Sequence, residues 1–336
     1  MRAMRPHSLF FCLLCVIILL IAVTSVTPIG LSQPSGLILS IMTQKSTYFL
    51  EGSVLINGTL SYANGTRISN GLVAIEVDNP SNSCVTIRTV PTSNGTIPEG
   101  IINVESVFLS DWLGNPVNST RASDSDVSYL NVTIRNKGTQ NKNVLVSVNI
   151  FDQSYFTIFS LWVNWSVAAN SVLKWVTGFP VPLWVTGGNA TIYASVLTNF
   201  PRMNGTPYGP EKSSHFLITG AVGFINPLIE EPSYNGTFSI AFRMPLIAGI
   251  GNFTVYASAD YLGETITNKA TFTAKLEGDS NNDGRVNYID LGNLAIAYGS
   301  SVGQAAYNLA VDFNSDGRVN YVDLGKVAVN YGKKTG

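Results

Sequence analysis

From Leu37 to about Leu276 the chain consists of short Val, Ile, Thr, Tyr and Phe runs cut by Asn-Gly, Gly-Asn and Pro signals, and no helical period persists. Ser53 to Tyr62 precedes the turn Asn64-Gly65, Leu72 to Val77 precedes Asn79-Pro80, and Leu130 to Arg135 precedes Lys137-Gly138, all at hairpin spacing. Val144 to Phe151 alternates cleanly. Val144, Val146 and Val148 point one way and Leu145, Ser147 and Asn149 the other, which leaves one face to enter a core. The pattern predicts β-sandwiches. It changes after Leu276, where Leu291, Leu294 and Tyr298 recur at three and four residues before Gly299, and Leu324, Val327 and Tyr331 do so before Gly332. Each set predicts a short amphipathic helix with a glycine stop, and two such helices can pair. At the other end Arg2 and Arg5 precede an unbroken apolar run from Leu9 to Val23, followed by Thr24, Ser25 and Pro28. That layout predicts a secretory signal over 1–33. Fifteen apolar residues are short for a membrane span, and an uncleaved N-terminal anchor is the alternative. Both place the remainder outside the cytoplasm, secreted or at the cell surface.

Composition narrows the chemistry. With 45% hydrophobic residues, 12% charged residues and a net charge of -1, the 336-residue chain can bury a sizeable core and is a poor partner for nucleic acid. Of two histidines only His215 lies outside the N-terminus, which excludes most Ser-His-Asp, Cys-His and multi-histidine zinc chemistry. Carboxylate chemistry and calcium remain. Cys12 and Cys15 sit in the leading apolar segment, so beyond it Cys84 stands alone and no internal disulfide is available. Cys84 itself reads as a small core residue. Ten Asn-x-Ser/Thr sequons (Asn57, Asn64, Asn94, Asn118, Asn131, Asn164, Asn189, Asn204, Asn235 and Asn252) mark exposed loops and strand faces if they are glycosylated. Trp162, Trp165, Trp175 and Trp184 crowd together, but Trp162 and Trp165 have opposite strand parity and cannot share one planar sugar platform. A core or a domain seam accounts for most of them.

The strongest signal is C-terminal. Asp279-Ser-Asn-Asn-Asp-Gly-Arg-Val-Asn-Tyr-Ile-Asp290 recurs after 33 residues as Asp312-Phe-Asn-Ser-Asp-Gly-Arg-Val-Asn-Tyr-Val-Asp323. Both read as calcium loops. Positions 1, 3 and 5 (Asp279, Asn281, Asp283; Asp312, Asn314, Asp316) offer side-chain oxygens, and position 6 (Gly284, Gly317) makes the sharp turn. Position 7 gives a backbone carbonyl (Arg285, Arg318), position 9 (Asn287, Asn320) acts through water, and position 12 closes the shell with Asp290 and Asp323 in place of the usual Glu. Two Ca²⁺ ions are therefore expected. Three carboxylates per loop repel until a divalent cation binds, so the segment is expected to be slack without metal. Val286 and Val319, at position 8, are expected to bridge the loops as a minimal antiparallel strand.

The repeat, with 14 identities in the 21 positions aligned from 279 to 299 and 312 to 332 and no helix entering the first loop, resembles a type I dockerin. That resemblance covers about 278 to 334 and implies a Ca²⁺-folded module that docks on a cohesin domain of another protein, often a scaffold gathering polysaccharide-degrading enzymes. In the family, loop positions 10 and 11 are frequently Ser-Thr and set partner choice. Here they are Tyr288-Ile289 and Tyr321-Val322, a more apolar and nearly duplicated partner-binding face that either half could present after a 180° turn. Further upstream, Tyr129 to Phe216, with Asn131 to Gly138, Val144 to Asp152 and Ala190 to Ser195, looks like a CARDB-type adhesion-related sandwich. Tyr48 to Arg88 looks like the opening strands of an Ig-like, MG2-type sandwich, and Gly236 to Ala274 like its closing strands.

The expected architecture is mainly β, Ig-like sandwiches with a small α-helical C-terminal dockerin. A discontinuous sandwich over 37–99 plus 220–276 carries an inserted sandwich over 100–219, and 277–336 forms the dockerin. A serial run of three small β units is the alternative. The leading function is non-catalytic: a secreted or cell-surface protein whose dockerin plugs into a cohesin, with the sandwiches as spacer or adhesion modules. The alternative is a glycoside hydrolase or its accessory subunit, acting on O-glycosyl bonds in polysaccharide, since that reaction needs only two carboxylates. Pairs such as Asp124 with Asp126 and Glu230 with Glu231 lie in turn-like segments and read as solvated acids, and no catalytic residue is assigned.

Overall fold

The structure is a computed structural model and describes residues 36–93, 95, 97, 99–221 and 234–336. The signal or anchor reading over 1–33, the sequon Asn94 and the pair Glu230 and Glu231 lie outside the described residues. Among those residues, sixteen strands are followed by two short α-helices, so the chain is mainly β with a small helical C-terminal part. No described helix is long and apolar enough to cross a membrane.

Strands β1 (Leu37–Thr43), β3 (Ser53–Tyr62) and β14 (Thr237–Arg243) form a three-stranded antiparallel sheet in the order β1-β3-β14. Facing it is a five-stranded sheet with β2 (Thr47–Phe49), β16 (Glu264–Lys275), β15 (Gly251–Tyr261), β4 (Leu72–Asp78) and β5 (Cys84–Pro91) in that spatial order. The alternation read in Ser53–Tyr62 sends Val54, Ile56 and Leu60 inward, where they meet Val73, Ile75, Val77, Phe253 and Val255 in one core. Phe253 and Phe272 stack across β15 and β16 with centroids 5.1 Å apart.

A second pair of sheets takes its strands from the intervening stretch. β10 (Thr157–Val167), β9 (Lys142–Phe151), β12 (Gly188–Leu197), β13 (Lys212–Thr219) and β7 (Ser119–Arg121) make one sheet in that order. β11 (Ser171–Val181), β8 (Ser123–Asn136) and β6 (Ile102–Ser110) make the other. Its core joins Val144, Val146, Val148 and Ile150 of β9 to Leu130, Val132 and Ile134 of β8. Trp165 and Trp175 pack edge to face at 6.2 Å against this core, Trp162 meets Phe200 at 6.1 Å, and Trp184 meets Phe156 at 6.3 Å. Seven sequon asparagines, including Asn64, Asn164 and Asn252, are exposed; Asn57 and Asn131 are half-buried.

Both faces of β9 are buried. Leu145, Ser147 and Asn149 are as buried as the valines, because the two sheet pairs meet there. Asn149 Oδ1 accepts from the Ile87 amide at 3.3 Å, Asn149 Nδ2 donates to the Ile87 carbonyl at 2.5 Å, and Ser160 Oγ donates to the Val85 carbonyl at 2.6 Å. Around them Ala74, Cys84, Ile87, Leu145, Leu197 and Phe200 form a small apolar cluster of their own, with Trp162 against it. Two arginines close the seam with ion pairs. The Arg88 guanidinium pairs with Glu211 at 2.9 Å with both side chains buried, and it lies 3.5 Å from the centre of the Tyr193 ring. Arg202 reaches Glu76 at 2.5 Å and Asp78 at 3.2 Å, while its amide donates to Glu76 at 2.9 Å.

Burial governs the chemistry of this seam. It pushes the Glu76 carboxyl up to about 7, helped by the Asp78 carboxylate and opposed by Arg202. It also drives the Cys84 thiol far above its ordinary range, with the Glu76 and Asp78 carboxylates adding to the effect. A thiolate is the reactive form. Cys84 is therefore expected to resist a maleimide in the folded chain and to be labelled fully once urea exposes it; labelling at equal rates in both conditions would contradict the burial.

Candidate metal centre and docking face

Beyond Lys275 the chain leaves β16 and enters the first loop within four residues, with Leu276 already buried in the core of the C-terminal module. That core is eight residues: Leu276, Val286, Leu294, Ala297, Val311, Phe313, Val319 and Val327. Helices α1 (Tyr288–Ala297) and α2 (Tyr321–Asn330) follow the two loops. Each begins with a reciprocal cap, in which the Asn287 or Asn320 side chain accepts from an amide in the first turn and the Asp290 or Asp323 side chain accepts from the cap amide. Position 12 of each loop is thus also the third residue of a helix, and each helix fixes one loop carboxylate.

The two loops are built alike. Asp279 Oδ1 accepts from the Asp283 amide at 3.2 Å and Oδ2 from the Gly284 amide at 2.8 Å; the corresponding bonds to Asp312 are 3.2 and 2.9 Å. Asn281 and Asn314 each accept from the amide two residues on at 3.2 Å, and Asp283 and Asp316 from the amides of Arg285 and Arg318 at 2.9 Å. Asp290 and Asp323 are fully buried and take the amides of Ser280 and Phe313 at 2.8 Å. Positive φ at Gly284 and Gly317, 81° in both, is the turn that position 6 demands. The loops differ at two acceptors. The Ser280 hydroxyl donates to Asp290 Oδ1 at 2.9 Å, a bond that Phe313 at the matching place cannot make to Asp323. Tyr307 donates to Asp312 Oδ2 at 2.7 Å, a bond that pushes the phenol up to about 12, whereas Asp279 has no tyrosine partner among the described residues.

Charge in these loops lacks a protein counterion. Among the described residues no lysine or arginine forms an ion pair with the six loop aspartates. Burial pushes the Asp279 carboxyl above its ordinary range against two amide bonds, and the Asp290 and Asp283 carboxylates add to the push. An all-oxygen donor set whose carboxylates crowd without a cation suits a hard ion of the calcium type. A different trio, Glu76, Asp78 and Cys84, also brings ligand atoms together, but there the Arg202 guanidinium already sits on both carboxylates.

Two expectations for this module are corrected. Val286 and Val319 do not pair with each other. The Val286 amide donates to the Lys333 carbonyl at 3.0 Å and its carbonyl accepts from Gly332 at 2.8 Å, while Val319 exchanges bonds with Gly299 and Ser300 at 2.8 and 2.9 Å. Each loop is therefore clasped by the segment that follows the other loop's helix. The amphipathic face is also narrower than the spacing implied. Leu294 and Val327 are buried, but Leu291, Tyr298, Leu324 and Tyr331 are exposed, because each helix sends only a narrow line of side chains into the module's small shared core.

Of the residues expected to meet a partner, Tyr288 and Tyr321 are 74% and 76% exposed, Ile289 is exposed and Val322 half-buried. They lie at the same places in the two halves. Residues 277–329 match the family model of the dockerin type I domain. The chain carries a type I dockerin domain at its C-terminus. Such a domain binds calcium and docks on a cohesin-containing partner, and the proteins that bear it are typically extracellular or cell-surface components. The dockerin's ordered structure extends past the matched residues, since Gly332 and Lys333 hold Val286, the Thr335 amide donates to the Gly284 carbonyl at 2.9 Å, and Lys333 pairs with Glu51 at 2.5 Å.

No curated protein matches the chain. Solved structures with partial likeness include the C-terminal domain of wzt, at 14% identity and TM-score 0.31, covering 40% of this chain and 86% of that one. An alkylpurine DNA glycosylase of Pseudomonas fluorescens aligns at 9% identity and TM-score 0.26 over 35% of this chain and 30% of its own. A β-glucuronidase of glycoside hydrolase family 2 aligns at 10% identity and TM-score 0.26 over 49% of this chain and 24% of its own. The chain thus spans less than a third of either enzyme, and likeness this slight carries no functional argument.

Proposed function

We propose that this is an exported, non-catalytic surface protein that plugs into a cohesin through its dockerin and uses its sheet pairs as a joined spacer or adhesion unit. One Ca²⁺ would be held in each loop: by Asp279, Asn281, Asp283, the Arg285 carbonyl, Asn287 and Asp290, and by Asp312, Asn314, Asp316, the Arg318 carbonyl, Asn320 and Asp323. Residues 100–219 would be a unit set into a loop of the sandwich made of 37–99 and 220–276. The observation that carries the docking reading is the duplicated aromatic pair, Tyr288 and Tyr321, exposed to the same degree on two halves with matching loop bonds. Large aromatic side chains held out by a rigid scaffold are the usual anchors of an interface. Support for a non-catalytic role comes from the acids. Asp124 and Asp126 are exposed on a strand end, and Glu76 and Asp78 are consumed by Arg202.

The test is capture of the full chain on an immobilised cohesin domain, in calcium and in chelator. Retention is expected in calcium alone. Tyr288→Ala or Tyr321→Ala singly should leave most of the binding, since the other half can present its own face, and the double variant should lose at least about tenfold in affinity, the effect of deleting one aromatic anchor. Retention of the double variant at full affinity would reject this face.

A further inference from the structure

A groove of about 260 Å³ opens at the end of β6 and β8, and nothing in the dockerin reading uses it. Its rim is Trp112, which is 69% exposed on the turn after β6. That turn is tightly tied: the Gly114 amide donates to the Asp111 carbonyl at 3.0 Å, Asp111 Oδ1 accepts from the amides of Leu113 and Asn115 at 2.9 Å each, and Oδ2 accepts from Asn115 Nδ2 at 2.9 Å. The indole is therefore held out by a fixed scaffold and loses little freedom on meeting a ligand. Tyr129, from the neighbouring strand, and exposed Val127 line the same groove.

Beside these apolar groups lies a polar atom with no role in the fold. Ser110 lines the groove and is 3% exposed, and its Oγ has no hydrogen-bond partner among the described residues. Leaving a buried hydroxyl unpaired costs about 1–3 kcal/mol in a folded protein, so such an atom calls for a partner. The Thr120 and Ser128 hydroxyls, bonded to each other at 2.5 Å, stand in the same lining. Among the described residues no lysine, arginine or histidine lines it, which disfavours phosphate and carboxylate ligands. Its one acid, Asp111, is committed to three bonds within its turn, which removes a cation site.

We infer that the Trp112 groove binds a neutral carbohydrate, with a pyranose ring lying on the indole and its hydroxyls meeting Ser110 and the Ser128–Thr120 pair. The flat face of a pyranose carries C–H groups of slight positive charge, which match the negative face of an aromatic ring. Its rim carries hydroxyls that both donate and accept, which match serine and threonine. A purely aliphatic anchor from a protein partner would cover the indole and leave Ser110 unpaired, so the groove's polarity favours sugar. Small sites that combine an aromatic wall with a few placed polar atoms are the general form of ligand pockets.

The experiment is titration of the full chain, in calcium, with soluble cellohexaose, xylohexaose and mannohexaose, followed by heat and by tryptophan fluorescence. Saturable binding of at least one sugar is expected, weakened about tenfold or more by Trp112→Ala as befits an aromatic anchor. Trp184→Ala, at another exposed indole, should leave the affinity unchanged. Ser110→Ala should weaken the same sugar several-fold while holding or raising the melting temperature, a combination that a merely structural serine would not produce. Absence of binding by all three sugars at millimolar concentration would overturn the proposal, as would affinity indifferent to Trp112→Ala. Self-association that Trp112→Ala abolishes, with no sugar effect, would also overturn it and assign the groove to a second copy of the chain.

Discussion

Chelation of calcium from the full-length chain is expected to erase the helical signal of α1 and α2 while the β signal persists. The physical reason is the size of what remains. Each helix has ten residues, below the length at which an isolated helix is stable in water. The core that joins them holds eight side chains, and a module this small needs a staple to stay folded. Against that modest gain stand six aspartates without an ion-pair partner among the described residues, two of them fully buried. Metal binding to the folded loops reverses the balance by mass action, adding about 4 kcal/mol when calcium exceeds its dissociation constant 1,000-fold. The sandwiches have large apolar cores of their own and no share in the loops' ligands, so their signal should survive. Asp290→Ala should mimic half of the chelation, because that carboxylate both faces the loop and caps α1 through the Asn287 amide at 2.8 Å. Circular dichroism and calorimetric titration read the outcome. Unchanged spectra in chelator, with no heat on adding calcium back, would remove the metal from the account of this fold.

The loops were legible because their chemistry is local: six oxygen-bearing or glycine positions within twelve residues, stated twice. The strands were legible for a similar reason, since a period of two survives in Ser53–Tyr62 and Val144–Phe151 whatever the strands pack against. What the sequence hides is the second partner of a strand. Asn149 and Ser147 carry the polar signature of a solvent face, yet they lie buried, because Thr86 and Ile87 come from a strand sixty residues away and supply the bonds that water would have made. No local pattern announces such a match. The same holds for the clasp in the dockerin, where Val286 and Val319 have the right type and register to pair. The chain after each helix reaches the opposite loop first. Leu291 and Tyr298 mislead for a third reason: spacing finds an apolar stripe but cannot tell a stripe that is packed from one held out for a partner.

Truncating Arg88 to alanine is expected to destabilise the chain by about 3–5 kcal/mol, the cost of leaving a buried charge without its partner. Glu211 is the charge at stake. Its side chain is 8% exposed and Arg88 4%, so little water is at hand to replace the guanidinium. The carboxylate would keep the Thr89 amide at 3.0 Å and the Ser195 hydroxyl at 3.2 Å, both neutral donors. Arg88 also covers the Tyr193 ring, so the same change opens a cavity in the seam. Because β5 belongs to one sheet pair and Glu211 to the other, the loss falls on their union more than on either core. Wild type is expected to melt its sandwiches in one transition, and Arg88→Ala to split or broaden it. Arg88→Met combined with Glu211→Leu should recover much of the stability, since a well-packed apolar pair often equals a buried ion pair. Urea unfolding of the four members of that double-mutant cycle, followed by tryptophan fluorescence, measures the coupling. A single variant within about 0.5 kcal/mol of wild type, the range of ordinary surface substitutions, would mean that the seam is solvated and the two sheet pairs move apart freely.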